Sequence, residues 1–141
     1  MKKVVLITML ITSIAITQSK VGSSAAAFLG SGVGSRAMGM GGAFSAIGGD
    51  ASILYWNPGA MANIQKSEVL LSKADWLVDS DLNFISSVIK LNDNRSIGGY
   101  VMQLDYGREE ITDLYNQNGT GQYWTAMDYV LGVAYGSKLS E

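Results

Sequence analysis

Carboxylates are the main side chains of this chain that could do acid–base chemistry, because it contains neither histidine nor cysteine. That composition excludes the commonest general base, the commonest zinc ligand, thiolate metal sites and disulfides. Four acidic residues fall close together, at Asp105, Glu109, Glu110 and Asp113. A carboxylate pair can act as general acid and base, but these four lie where a predicted strand ends. We therefore interpret them as part of a solvated loop and predict that the chain is not an enzyme.

The Asp79-Ser80-Asp81 sequence begins like a calcium-binding loop. Such a loop needs a glycine at its sixth position and a glutamate at its twelfth. This chain has Phe84 and Lys90 there instead. The sequence predicts a polar turn and no metal site.

Residues 32–37 spell the GxGxxA of a dinucleotide-binding turn, and Asp50 lies near the place of its ribose-binding acid. The motif needs a strand before it and a helix after it. The preceding residues lack β-branched side chains, and the helix would have to contain Gly39, Gly41 and Gly42. We therefore predict no nucleotide cofactor, and no cofactor of any other kind.

The composition is that of a membrane protein whose apolar residues are spread along the chain. Of the 141 residues, 48% are hydrophobic and 16% are charged, against about 25% charged in a typical soluble domain. The formal net charge is −2, so there is no basic surface to bind nucleic acid. No nucleic-acid partner is expected.

The stretch from 28 to 61 is unusually rich in glycine. Ordinary helices and strands do not tolerate such a density, and the interspersed methionines and aromatic residues are not typical of a linker. We predict a compact, irregular segment packed inside a larger structure and ended by the turn at Asn57-Pro58. Its glycines are Gly30, Gly32, Gly34, Gly39, Gly41, Gly42, Gly48, Gly49 and Gly59.

The order GVGSRAMGMGGAFSAIGGDAS at 32–52, followed by LYWNP at 54–58, resembles the amino-terminal signature of the PorV/PorQ family. These proteins are relatives of the FadL outer-membrane transporters. The resemblance is close over roughly residues 21–76 and looser beyond. It departs at Gly48-Gly49, where relatives have Ala or Asp, and at Gly59-Ala60, which inverts the usual Ala-Gly.

The resemblance implies an all-β fold, a transmembrane antiparallel β-barrel of FadL-like type with an amino-terminal glycine-rich plug. It implies the bacterial outer membrane as location and lipid as a partner. It also implies a part in type IX secretion, in which the protein binds exported proteins and hands them over among other secretion components. A FadL-like channel for hydrophobic small molecules is the alternative, and a purely structural barrel is the second alternative.

The plug implied by the resemblance has candidate structural residues of its own. Arg36 is the one basic residue inside the segment and is expected to pair with Asp50, because a buried charge needs a partner. We expect this pair to lock the plug rather than bind a ligand. The full set of structural residues expected in the plug is Arg36, Gly39, Gly41, Gly42, Asp50, Trp56, Asn57 and Pro58.

Residues 1–19 are predicted to be a secretory signal peptide. Lys2 and Lys3 form its positive region, and 4–16 form an apolar stretch too short to span a membrane as a helix. The plug segment is then assigned to 20–63 and the first barrel strands to 64–141.

Alternating apolar and polar residues separated by polar turns predict β-strands at 67–76, 82–91, 96–106, 109–115 and 122–136. In the last strand the odd positions are large and apolar and the even positions small or polar, which indicates two unlike faces. We predict that the odd face meets lipid, with Tyr123 and Tyr135 in the two interfacial aromatic girdles. The face of the third strand that carries Tyr100 and Met102 is predicted to meet lipid too.

Four or five strands are too few to close a membrane barrel, since the smallest bacterial barrels have about eight. An open sheet in lipid would leave backbone groups unsatisfied at its edges. We therefore expect the chain to be an amino-terminal part of such a barrel.

Overall fold

The computed structural model describes residues 26–139. The predicted signal peptide at 1–19 lies outside the described residues, as does the beginning of the segment assigned to 20–63. Within the described part, no helical segment is both long and apolar enough to cross a membrane.

Four antiparallel strands form one sheet in the order β1-β2-β3-β4. The strands are β1, Glu68–Asp75, β2, Asp81–Asn92, β3, Arg95–Glu110, and β4, Tyr123–Ser137. Each strand pairs with the next in sequence, as is usual for an antiparallel sheet whose consecutive strands are joined by turns and loops. The all-β class is confirmed at this level. The sheet is open, and the described residues do not form a closed barrel.

The expected separate strand at 109–115 is wrong. β3 continues through Glu110, with a shift of register between Asp105 and Arg108 where Gly107 has a φ of 75°. The sequence around Gly107 suggested the end of a strand, but the structure absorbs this glycine as a bulge within one long strand. The remaining residues, 111–115, lie in the loop before β4.

Polar groups close the connections on both sides of β3. At the β2–β3 turn, the Asn92 side chain accepts the Asn94 backbone N–H at 2.9 Å. Beside it, a hydrogen bond from Lys90 and its charge lower the pKa of the Asp93 carboxyl. In the β3–β4 loop, hydrogen bonds from the side chain and backbone of Asn116 lower the pKa of Asp113.

The glycine-rich segment, which we define as residues 28–61, forms short helical pieces over one face of the sheet. They are a 3₁₀ turn at Ala27–Gly30, α1 at Ser35–Gly39, α2 at Ile53–Trp56 and a second 3₁₀ turn at Pro58–Asn63. α2 ends directly before Asn57, and Pro58 begins the next turn, where its missing N–H costs nothing.

We call the sheet face beneath this segment the inner face. Outside the bulge of β3, it carries the even-numbered residues of all four strands. Val88 pairs with Gly98, and Gly98 with Ala134. Two buried clusters join the segment to this face. One includes Phe44, Leu54, Met61 and Val88, and the other Phe28, Val33, Phe84, Met102 and Leu104.

The prediction that the Tyr100 and Met102 face of β3 meets lipid is wrong. Tyr100 pairs with Gly132 and lies on the inner face, and Met102 is fully buried there. The outer face of β3 is instead built from Ile97 and Val101, which continue the large odd residues of β4. Because β3 is apolar on both faces, its alternation alone did not indicate which face the segment covers.

Gly98 lets the segment approach the sheet closely. A Cβ at this position would lie 2.8 Å from the Ser87 carbonyl oxygen and 3.0 Å from both Leu54 Cδ1 and Met61 Sδ. Contacts under 3.0 Å with backbone cannot relax without shifting a strand. The tight fit of the segment on β3 therefore depends on the missing side chain.

We expect Gly98→Ala to lower the free energy of unfolding by about 1–3 kcal/mol, since the added methyl overpacks this contact. Gly39→Ala is the control, because nothing lies within 4 Å of a Cβ there. Replacing that helical glycine should leave stability unchanged or raise it by about 0.5–1 kcal/mol. Denaturant titration of the folded protein measures both, and equal effects at the two positions would contradict the close packing.

Candidate functional site

The candidate site consists of the glycine-rich segment, the inner face of the sheet that it covers, and the opposite face, which it does not cover. Trp56 holds the segment together from the end of α2. Its indole N–H donates to the Val33 carbonyl at 3.0 Å. The ring lies beside two glycines of positive φ, since a Cβ at Gly32 or Gly42 would be 3.3 or 3.4 Å from its edge. At both positions the absence of a side chain allows a left-handed backbone conformation and lets the Trp56 ring approach the backbone closely.

Tyr55 connects the beginning of the segment to the sheet. Its hydroxyl donates to the Leu29 carbonyl and accepts the Gly32 backbone N–H. Its ring meets Phe84 of β2 edge-on, with the ring centroids 6.4 Å apart. Edge-to-face geometry is favourable for aromatic pairs, so this tyrosine ties two distant parts of the segment to the inner face.

Arg36 and Asp50 are brought together, with Arg36 Nη1 3.8 Å from an Asp50 oxygen. The same nitrogen donates to the Gly48 carbonyl at 3.3 Å, and the guanidinium lies over the Phe44 ring. The arginine side chain is 54% exposed and the aspartate side chain 17%, so the guanidinium lies at the surface of the segment while the carboxylate is largely covered. An exposed ion pair of this kind contributes about 1 kcal/mol or less.

Asp50 also organises the start of α2. Its Oδ1 accepts the Ser52 backbone N–H at 2.9 Å and the Ser52 hydroxyl. Ser52 is buried, so the carboxylate satisfies two donors that have little access to water. The aspartate is therefore an anchor within the segment.

The remaining expected plug residues divide into packed and open positions. The Asn57 amide donates to the Ser45 carbonyl at 2.8 Å. Gly41 has a φ of 63°, but nothing lies within 4 Å of a Cβ there, and Gly39 is equally open. Neither of these two glycines is required by close packing against the described residues. Pro58 is exposed and starts a helical turn.

Sequence reasoning did not single out Gly32, Tyr55 or Ser52 as site residues. In the sequence, Gly32 is one glycine of the glycine-rich segment and the first residue of a GxGxxA pattern, and neither feature indicates its contact with Trp56. The paired aromatics Tyr55 and Trp56 directly before a proline turn were the signal for such an anchor.

A cavity of ≈ 220 Å³ lies between the segment and the edge of β1. Its apolar wall comes from Val33, Met38, Trp76, Leu82 and Phe84. Lys73 and Asp75 contribute where it approaches the sheet edge. The cavity has the chemistry to hold a small apolar group.

The face opposite the segment, which we call the outer face, is apolar and uncovered. Its side chains range from 42% exposed at Val101 to 83% at Val133. Paired residues line up across the strands, as Leu71, Ile85, Val101 and Leu131 do. The exposed apolar residues of this face are Val69, Leu71, Ile85, Ile89, Ile97, Val101, Met127, Tyr129, Leu131, Val133 and Tyr135.

The outer face becomes polar toward the β1–β2 turn. The Gln103 amide bridges Asn83 and the Tyr129 hydroxyl, with hydrogen bonds of 3.3 and 3.0 Å. Lys73 pairs with Asp81 at 2.9 Å. Tyr123 lies beyond this row and Tyr135 at the other end of β4, and both are exposed on the outer face.

Among residues 26–139, no group of three or more acidic side chains is placed to hold a metal ion. Comparison of the chain with family models, with curated proteins and with solved structures gave no match.

We expect Trp56→Phe to lower the free energy of unfolding by about 1 kcal/mol, because it leaves the Val33 carbonyl without its indole donor. Trp124→Phe is the control, since Trp124 lies half exposed on β4. Its replacement should change stability by less than about 0.5 kcal/mol. Calorimetry or circular dichroism measures both. A loss at Trp56 no larger than at Trp124 would show that the indole does not anchor the segment.

Proposed function

We propose that this chain forms part of an outer-membrane β-barrel of the PorV/PorQ type, in which the glycine-rich segment is the plug. In this proposal the protein takes part in type IX secretion by binding exported proteins and handing them over. The observation that carries the membrane assignment is the outer face of the sheet, which is apolar and uncovered while the inner face already has its cover.

A soluble antiparallel sheet commonly packs one face on the core and turns a polar face to water. Soluble monomers rarely expose a continuous apolar patch of more than a few hundred Å². Here Ile85 and Val101, on the two central strands, are 51% and 42% exposed, and Leu131 on the edge strand β4 is 77% exposed. Lipid is a cover that requires no further protein on this side, and β3 and β4 are long enough to cross a bilayer at a tilt.

The open edges of β1 and β4 set a condition on this proposal. In lipid an unpaired strand edge leaves backbone N–H and C=O groups without partners, at several kcal/mol each. A membrane-embedded form of this sheet therefore needs further strands that pair with both edges. Such closure places the segment-covered face in the lumen.

Charged residues on the outer face fit a tilted barrel if its strands tilt in one of the two possible senses. Lys73, Asp81 and Asp105 lie on the first three strands, in register with residues 127–129 of β4. Barrel strands tilt by ~45° and lie ~4.8 Å apart. From one strand to the next, residues at the same depth in the membrane are therefore offset from the hydrogen-bonding register by roughly 1.5 residues. In one of the two tilt senses, all three charged residues reach the depth of residues 124–126 of β4.

That depth is close to Tyr123, one of the two expected girdle residues. Tyr123 then marks one membrane interface together with the three charged residues, and Tyr135 marks the other. Tyr123 and Tyr135 are separated by roughly 28 Å along the membrane normal at ~3.3 Å per residue and ~45° tilt. The apolar part of the outer face lies between them.

The motif resemblance supports secretion as the role of this barrel. The ≈ 220 Å³ apolar cavity beside Val33 and Phe84 favours the alternative, a FadL-like channel for hydrophobic small molecules. A structural barrel is the second alternative.

Fractionation tests the membrane assignment. We expect the protein, produced from its complete gene in its own bacterium, to be recovered with outer membranes. It should also migrate differently on gels before and after heating, because folded barrels resist detergent at room temperature. Recovery as a soluble periplasmic protein would contradict the proposal.

An arginine placed midway along β4 on the outer face tests whether this face meets lipid or water. We expect Leu131→Arg to lower the stability of the protein folded in lipid vesicles by about 2–4 kcal/mol, because it places a cation at the bilayer midplane. The control Thr125→Arg, near the proposed interface, should cost about 0–1 kcal/mol. A water-exposed face would tolerate both arginines to within about 0.5 kcal/mol, and that result would argue against lipid contact.

Deletion of the gene separates secretion from small-molecule transport. We expect exported proteins with type IX carboxy-terminal domains to accumulate inside the deletion strain, while uptake of a radiolabelled fatty acid stays normal. The reverse pattern supports the channel alternative. No change in either would favour the structural barrel.

A further inference from the structure

A second concave surface lies away from the glycine-rich segment, at the end of the sheet where the β1–β2 turn meets the bulge of β3. It is an open cleft of ≈ 370 Å³. Three aromatic side chains dominate its wall. The lining residues are Trp76, Leu77, Val78, Ser80, Leu104, Tyr106, Glu109 and Trp124.

The turn that forms one wall is held in a fixed conformation. The Trp76 backbone N–H donates to the Ser80 carbonyl at 2.6 Å, and the Ser80 hydroxyl donates to the Leu77 carbonyl. Val78 has a φ of 53°, a conformation that a β-branched residue adopts only when its surroundings enforce it. Leu77 and Val78 are thereby kept 73% and 81% exposed.

The turn rests on the bulge of β3. A Cβ at Gly107 would lie 2.9 Å from the Asp79 carbonyl oxygen. Next to it, the Tyr106 hydroxyl donates to Asp128 of β4 at 2.8 Å. The bulge and this hydrogen bond fix the second wall of the cleft, so its shape does not have to be organised on binding.

The charge of the cleft is negative. Among the described residues that line the cleft, Glu109 is the one charged residue. Asp128, which accepts the Tyr106 hydroxyl, is not among the lining residues. The nearest arginine in sequence, Arg108, is directed to the outer face, where its guanidinium lies 4.0 Å from the centre of the Tyr123 ring.

We propose that this cleft docks an extended peptide segment of another protein, one that carries arginine or lysine next to apolar residues. A cation beside Glu109 completes an ion pair, and it can also stack on an aromatic ring of the cleft wall, where Trp76, Tyr106 and Trp124 lie. The apolar neighbours of the cation pack on Leu77 and Val78. The cleft is shallow and open, which suits the side chains of a peptide rather than an engulfed small molecule.

The proposal stands on the cleft and does not depend on the membrane assignment. The purified protein, in detergent if it requires detergent, is titrated with a fluorescent pentapeptide that alternates leucine with arginine. A peptide with glutamate in place of arginine is the matched probe. Two of the three tryptophans, Trp76 and Trp124, line the cleft, so their fluorescence reports occupancy.

We expect the arginine peptide to bind and the glutamate peptide not to bind. Glu109→Gln should weaken binding roughly fivefold, as the loss of one ion pair of about 1 kcal/mol implies. Glu110→Gln, one residue away and outside the cleft lining, should leave the affinity within about twofold. Glu109→Lys should reverse the preference between the two peptides, and Trp124→Leu should weaken binding of the arginine peptide.

Three results would overturn the proposal. They are equal binding of the two peptides, equal losses in Glu109→Gln and Glu110→Gln, and binding of free arginine amide as tight as that of the peptide. The last would mean that the apolar wall plays no part. Circular dichroism of each variant confirms that the sheet is retained.

Discussion

A sheet that is apolar on both faces must have both faces covered, and the rest of this structure depends on that constraint. The glycine-rich segment covers the inner face, where Phe44, Leu54 and Met61 pack against Val88 and its neighbours. No described residue covers the outer face, whose central residues are mostly exposed. At about 25 cal/mol per Å² of apolar surface, leaving this face in water is unfavourable, and lipid removes that cost. The membrane proposal follows from this asymmetry.

The inner cover depends on a small number of close contacts. Gly98 lets Leu54 and Met61 lie directly on the backbone of the sheet. Tyr55 and Trp56 then tie the start of the segment to its end through bonds to Leu29 and Val33. These contacts hold the segment in place, because its short helical pieces contain too few regular hydrogen bonds to fix its conformation.

Part of this arrangement could be predicted from the sequence. Alternating side chains and polar turns indicated three of the four strands to within one residue at each end, and Arg36 and Asp50 do meet. The length of β3 could not be predicted, because a glycine such as Gly107 can end a strand or form a bulge. The inner face of β3 could not be chosen either, since Val101 and Met102 are both apolar.

The close-packed glycines were also beyond sequence reasoning. Gly41 and Gly42 are adjacent and both have positive φ, but only Gly42 lies against Trp56. Whether a glycine serves a turn or a contact depends on which residue the fold places above it. The cleft beside Trp124 was missed for the same reason, because its walls come from separate strands and a turn.

The central claim is that the odd-numbered residues of β4 point into lipid, while its even-numbered residues lie on the packed inner face. The chain has no cysteine, so single cysteines carrying a spin label can be placed at positions 129, 130, 131, 133, 134 and 135. Gly132 is left out because a side chain there would collide with the Tyr100 ring. In lipid vesicles we expect labels at odd positions to be accessible to oxygen and protected from a water-soluble nickel reagent. Labels at even positions should be protected from oxygen. Odd positions that are more accessible to the nickel reagent than to oxygen would show that this face meets water, and would contradict the account.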